Sequence, residues 1–285
     1  MPKNILVTGA STGIGYDTVR ALAAEGFNVI ATVRKESDRE ILIKDFSNNV
    51  KVLILDVTNL ASVELLPAQL KQLGVTELAG LVNNAGVAMA APFQHQPFEE
   101  IQNMIQVNVL SLMKVTQVLL PLLGAYAGAK TPGRIVNISS IAGKSAAPFL
   151  SVYAASKFAV EGFAEGLRKE LMLYGIKVIN IGPGSIRTPI WQKGFAVVKE
   201  KYNQTAYAGP FQKFISMALA FEKTGLEVAA VSKLVVRALH SSGPAFRYAP
   251  IPNPLMSWYI PQILPARTYN WVSAKVLGLM PKPKS

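Results

Sequence analysis

The chain has no cysteine, which excludes disulfides, thiolate metal sites and thiol nucleophiles. Its only histidines are His95 and His240, too few for a multi-histidine centre, so no metal site is expected. Charged residues are scarce at 16%, against 50% apolar, a balance that excludes a disordered chain. Long apolar runs are missing as well. Met1-Pro2-Lys3-Asn4 leads into a short apolar stretch that stops at Gly9, too brief for a signal-peptide core or a membrane span, and a cytoplasmic location is the default expectation. Acids are the minority charge: 17 Asp and Glu face 29 Lys and Arg, a net +12, which points to anionic ligands or surfaces. No dense basic run is interleaved with aromatics, so no nucleic-acid partner is expected. The groups left for chemistry are hydroxyls, amines, carboxylates and a bound cofactor.

Strand and helix patterns alternate along the 285 residues, and no repeat, low-complexity linker or charge block divides them. Apolar β-rich runs stand at Ile5–Val7, Asn28–Val33, Val50–Leu55, Leu78–Val82, Arg134–Ile138 and Lys177–Ile181, with a short edge strand expected near Phe246–Ala249. Amphipathic stretches separate them, including a long one from Phe98 to Leu123 and a helix from Tyr153 to about Tyr174, stopped by Gly175. Such alternation means an α/β fold, a doubly wound parallel sheet with helices on both faces. Ligands of these sheets bind at the carboxyl ends of the strands.

The first such end carries Thr8-Gly9-Ala10-Ser11-Thr12-Gly13-Ile14-Gly15. Glycines let a ligand approach the backbone, and the free amides of the following helix attract phosphate, so this turn reads as a nucleotide cradle. Arg34 follows the second strand, where an acid would bind ribose hydroxyls; a base there favours NADP over NAD. Asp56 closes the third strand, either accepting from an adenine or capping the next turn. Asn83-Asn84-Ala85-Gly86 and Ser139-Ser140 close the fourth and fifth.

Tyr153 and Lys157 are four residues apart on one helix face. A phenol titrates near pH ~10, and a fixed cation beside it favours phenolate and brings the group toward working pH. The pair therefore suggests a general acid or base.

These motifs, in this order, resemble the short-chain dehydrogenase/reductase superfamily over about residues 3 to 190: T-G-A-S-T-G-I-G at 8 to 15, D-V at 56 to 57, N-N-A-G at 83 to 86, V-N-V at 107 to 109, I-S-S at 138 to 140, Y-A-A-S-K at 153 to 157 and P-G-S-I-R-T at 183 to 188. The resemblance implies a Rossmann-type fold and an Asn108, Ser140, Tyr153, Lys157 tetrad. Ser140 is taken over Ser139 because the family's serine lies thirteen residues before its tyrosine. It further implies that Gly9, Gly13, Ile14 and Gly15, with Ser11 and Thr12 of the same turn, hold the pyrophosphate. Asp56 and Val57 would then hold the adenine and Asn84, Ala85 and Gly86 its ribose. Lys157 would grip the nicotinamide ribose beside Tyr153, and Pro183, Gly184, Ile186 and Thr188 would close over the nicotinamide. The activity implied is NADP(H)-dependent hydride transfer to or from an alcohol or ketone, by a homo-dimer or homo-tetramer. A non-catalytic dinucleotide sensor on the same fold is the alternative, and an intact tetrad argues against it.

We place the dinucleotide domain at 1–249, with a substrate loop at about 189–225, and a C-terminal extension at 250–285. Trp191, Phe195, Tyr202, Tyr207, Phe211, Phe214 and Met217 give the loop region walls for a lipophilic substrate, resembling the branch that acts on steroids, retinoids and related lipids. Residues 246–285 hold aromatics and Arg247, Arg267, Lys275, Lys282 and Lys284, with no acid, and prolines at 250, 252, 254, 261 and 265 break the segment into short pieces. A basic, aromatic, interrupted segment suits either a lid over the cleft or an interface between subunits, or peripheral contact with an anionic membrane.

Overall fold

The computed structural model describes residues 3–46, 49–188, 195, 198 and 200–281. Strands and helices alternate in the order β1 (Asn4–Val7), α1 (Gly13–Ala24), β2 (Asn28–Val33), α2 (Glu36–Asp45), β3 (Val50–Ile54), α3 (Leu60–Gln72), β4 (Gly80–Asn83). The second half follows with α4 (Phe98–Ile105), α5 (Ser111–Leu119), β5 (Arg134–Ile138), α6 (Ser151–Glu170), β6 (Lys177–Ile181), α7 (Ala208–Lys223), α8 (Ala229–His240) and β7 (Arg247–Tyr248). Helices α9 (Ile260–Ile263) and α10 (Ala266–Leu277) follow. The strands form one seven-stranded sheet in the order β3-β2-β1-β4-β5-β6-β7, and every pairing is parallel.

Period-two alternation explains how one sheet serves two cores. Ile5 and Val7 point to the face covered by α1 and α8, with Val19, Leu22, Val231 and Val235. Leu6, between them, points to the other face, where Val63, Leu66, Val115, Leu119 and Ala164 come from α3, α5 and α6. Asp17 of α1 is buried, and it accepts from Ser232 of α8, so the two helices on the first face are also joined through a polar contact.

On the second face the strand ends carry a polar row. Asn83, Asn137 and Asn180 are register partners across β4, β5 and β6, and their amides connect, Asn83 Nδ2 to Asn137 Oδ1 at 2.9 Å and Asn137 Nδ2 to Asn180 Oδ1 at 3.2 Å. All three are buried, so each amide must be satisfied within the protein.

The strand assignments from sequence hold, β4 starting two residues later than expected and β7 forming the sheet edge. The long amphipathic stretch from Phe98 is not one regular helix. It is interrupted at Gln106–Leu110 by a π turn between α4 and α5. Part of the expected substrate loop, Trp191 included, and Lys282 and Lys284 of the C-terminal extension lie outside the described residues. Among the described residues no helix is long and apolar enough to cross a membrane.

Candidate active site

The glycine-rich turn is shaped by contacts that leave no room for side chains. Gly9 has φ +65°, and a Cβ on it would lie 2.7 Å from the Ala85 Cα; one on Gly15 would collide with the Gly9 carbonyl and the Asn84 amide. Asn84 braces the turn, its Nδ2 donating to Thr8 O at 2.9 Å and Gly9 O at 2.8 Å. Thr8 Oγ1 accepts in return from the amides of Asn84 and Ala85, both at 3.0 Å. Thr8 is thus a positioning residue that the sequence reading passed over, because a threonine at a strand end carries no distinctive spacing.

The turn delivers the chain into α1, whose N-cap Thr12 makes no side-chain cap and whose first turn has no acid. Its open amides can hold an anion, and the glycines allow the close approach that a pyrophosphate needs. Thr188 faces this turn from the loop after β6, its Cγ2 3.5 Å from where a Gly13 Cβ would stand. Pro183 and Gly184 are fixed by backbone bonds, Ile141 N to Pro183 O at 2.9 Å and Gly184 N to Pro250 O at 3.0 Å. Ile186 differs from the rest of this loop in that its side chain is packed in the α1/α8 core.

At the neighbouring strand ends Arg34 is exposed and acts on the carboxylate of Asp56. Burial works against that carboxylate, yet hydrogen bonds from Thr58 and the charge of Arg34 outweigh it and hold the pKa below its ordinary value. Asp56 Oδ1 takes both Thr58 bonds, at 2.9 and 2.8 Å, so the turn-capping role weighed from sequence is realised. Val57 is buried in the α3/α5/α6 core.

Asn108, Ser140, Tyr153 and Lys157 converge where α6, the π turn and the end of β5 meet. Asn108 lies inside the π turn, where the widened backbone makes room for its amide. The amide is locked: Oδ1 accepts from Val87 N at 2.8 Å, and Nδ2 donates to Val87 O at 2.9 Å and to Ser156 Oγ at 3.0 Å. A Cβ on Gly86 would stand 3.3 Å from Asn108 Oδ1 and 3.8 Å from Lys157 Nζ, which puts the two side chains on one small space. Lys157 Nζ donates to Ile138 O at 3.0 Å and lies 5.9 Å from the centre of the Tyr153 ring. Ser140 and Tyr153 share a hydrogen bond between their side chains.

Burial is the largest influence on both titrating groups. It raises the Tyr153 phenol above its ordinary value, with the Ser140 hydrogen bond pulling the other way. It lowers Lys157 to about 8, opposed by the charge of Glu161. The sequence reading had Lys157 bring the phenol down. In the structure desolvation of the phenolate prevails, and the Lys157 ammonium is engaged with the Ile138 carbonyl.

A sheet of this order, with a glycine-rich turn after its first strand and a Ser-Tyr-Lys cluster at its carboxyl edge, defines a dinucleotide-dependent oxidoreductase. The chain belongs to the short chain dehydrogenase family, whose model matches residues 3–197. It is 37% identical over 273 residues to the NADPH-dependent 3-dehydrocapnine reductase of Ornithobacterium rhinotracheale, covering 95% of this chain and 96% of that one. It is 33% identical to bovine (Bos taurus) 17-beta-hydroxysteroid dehydrogenase type 6, over 87% of this chain and 80% of that one. Among solved structures, ElxO with NADP bound superimposes with a TM-score of 0.72 at 25% identity, over 90% of this chain and all of that one (100%).

Proposed function

We propose that this enzyme transfers a hydride between NADP(H) and a lipophilic alcohol or ketone, with Tyr153 as the general acid or base. The observation that carries this reading is the buried Tyr153 phenol, joined to the Ser140 hydroxyl with the Lys157 ammonium behind it. When bound, the nicotinamide supplies the hydride. The chain must then neutralise the charge that develops on the substrate oxygen. Ser140 holds that oxygen by hydrogen bonding, and Tyr153 gives it a proton in reduction or takes one in oxidation. Lys157 stabilises the phenolate left behind and holds the nicotinamide ribose. Asn108, fixed against Val87 and Ser156, keeps the space beside Lys157 open for a relay water.

For the cofactor, the reading is supported by the turn at Gly9–Gly15, by exposed Arg34 in place of an acid and by the NADPH-dependent relative. For the substrate, it is supported by the apolar setting of Tyr153, which packs with Ala88, Met104, Ala142 and Val152. Leu150 joins this group to a second one containing Phe149, Phe195, Tyr202, Phe211 and Phe214. Those aromatics mostly pack on one another, as with Phe149 and Phe211 at 5.2 Å between ring centres. They form the floor of the substrate lobe more than its walls.

NADPH oxidation followed with benzaldehyde, acetophenone, decanal and a 3-oxosteroid should show turnover with at least one, greatest for the bulkier apolar compounds. Tyr153→Phe keeps the ring and loses the proton, so it should bind NADPH normally while turnover drops by at least ~10²-fold. Near-normal turnover in that variant would refute the role of Tyr153, and cofactor binding without any turnover in the wild type would favour the sensor.

A further inference from the structure

An ion pair between a buried carboxylate and a half-buried guanidinium lies directly behind the site, and none of the steps above uses it. Glu161 follows Lys157 by one helical turn and is 3% exposed. Its two oxygens take separate donors, Arg247 Nε at 3.0 Å and Asn180 Nδ2 at 3.0 Å. The second bond makes Glu161 the terminus of the asparagine row, so that carboxylate is held in line with β4, β5 and β6. Arg247, from the edge strand β7, reaches past Glu161 and donates from Nη2 to the Ser140 carbonyl at 3.2 Å. The Trp258 ring covers the guanidinium from the C-terminal segment, 5.1 Å from it. The surrounding backbone is bare enough to let this happen: a Cβ on Gly182 would collide with Arg247 Nη2, and one on Gly143 would stand 3.0 Å from Glu161 Cγ. Burying two charges gains little net stability, and apolar residues of similar volume often do as well. The pair is placed instead to act on the reaction centre, since Glu161 sits one turn from Lys157 and Arg247 holds the Ser140 carbonyl.

We propose that Glu161 and Arg247 are positioning residues of this site, their ion pair clamping the Ser140 carbonyl and the Lys157 turn of α6 to β7. This rests on the assignment of Ser140, Tyr153 and Lys157 given above. The clamp fixes the Ser140 hydroxyl relative to the phenol by holding the backbone on which that serine sits. It also sets the field at Lys157. The titratable groups near that ammonium are Tyr153 and Glu161 on its own helix and Arg247 beyond Glu161, while β5 presents the Ile138 carbonyl and the Ser139 and Ser140 hydroxyls and the π turn presents the Asn108 amide. The Glu161 carboxylate favours the charged lysine against the burial that lowers it to about 8. Removing the carboxylate lowers Lys157 further, and the ammonium form is then lost at a lower pH.

Full-length Glu161→Gln, Arg247→Lys and the double variant Glu161→Leu with Arg247→Met test this against wild type and Tyr153→Phe, with NADPH and the best carbonyl of the panel. Glu161→Gln should cut kcat about tenfold or more, leave the NADPH KM within about twofold, and move the alkaline limb of the kcat profile down by about one pH unit. Arg247→Lys keeps the Glu161 charge but cannot span both partners, so kcat should fall with the limb unmoved. The double variant keeps a filled interior and should melt near the wild-type temperature while remaining slow, which separates positioning from stability. It also carries the test if Glu161→Gln does not fold. Wild-type kcat and an unshifted limb in folded Glu161→Gln or in the double variant would overturn the proposal, as would kcat losses that simply track melting temperature. If Tyr153→Phe stays active, the site assignment itself fails; if it is inactive while these variants are normal, only the clamp fails.

Discussion

Arg34 and Asp56 stand at the ends of the adjacent strands β2 and β3, close enough for the arginine to stabilise the aspartate's charge. The guanidinium is exposed and makes no salt bridge among the described residues, so it is available to a phosphate on the adenosine ribose. A charge-assisted hydrogen bond of this kind contributes roughly 1.5–3 kcal/mol. Arg34→Ala is therefore expected to raise the KM for NADPH by about tenfold or more and to leave that for NADH nearly unchanged. Steady-state kinetics with both cofactors checks this, and a wild type that already prefers NADH would contradict it. The identity of Arg34 was legible in the sequence, since only a charged residue at a strand end had to be noticed. The direction of the Tyr153 shift was not legible, because desolvation depends on what surrounds the ring in three dimensions.

Two elements hold the site by departing from regular geometry. The beginning of α1 is pressed against the Gly9 carbonyl and the Asn84 side chain, so a methyl group at Gly15 forces one of them away. Gly15→Ala should destabilise the protein by about 1–3 kcal/mol, the usual cost of overpacking, and should weaken NADPH binding more than it lowers the melting temperature suggests. Fluorescence titration with NADPH, set beside thermal melts, would show this; binding at wild-type strength would mean that the turn does not hold the cofactor. The second departure is the π turn at Gln106–Leu110, which opens the helical ladder around Asn108. Sequence periodicity gave a single amphipathic helix here, because one extra residue in a turn shifts the apolar pattern too little to be noticed.

Across the whole molecule, the C-terminal segment is attached at both ends. Trp258 stacks on Arg247, and Leu277 of α10 is buried among Phe149, Tyr202 and Phe211. We propose that a segment held in this way acts as a lid over the cleft. A chain ending at Ala249 should melt at a lower temperature and show a several-fold higher KM for the carbonyl, with the NADPH KM little changed. The outward side of the same segment exposes Ile263, Trp271 and Val276 beside Lys275, on a chain with net charge +12. Tail-dependent, salt-sensitive sedimentation with phosphatidylserine vesicles would assign that outward side to a membrane surface; vesicle-independent behaviour with the KM change would leave it as a lid.

The sequence by itself determined the order of strands and helices, the glycine-rich turn and the Tyr153–Lys157 pairing. Each of these follows from local periodicity or from residues a few positions apart, and such spacing is written directly in the chain. Glu161 was within reach of the same argument, one further turn along the face that carries Tyr153 and Lys157. Only the tertiary structure gave it a role, because its partners Asn180 and Arg247 come from β6 and β7. The bracing of the glycine turn by Thr8 and Asn84, and the packing of the substrate-region aromatics on one another, were likewise decided there. Contacts between residues far apart in sequence depend on how the layers pack, and no local pattern records that.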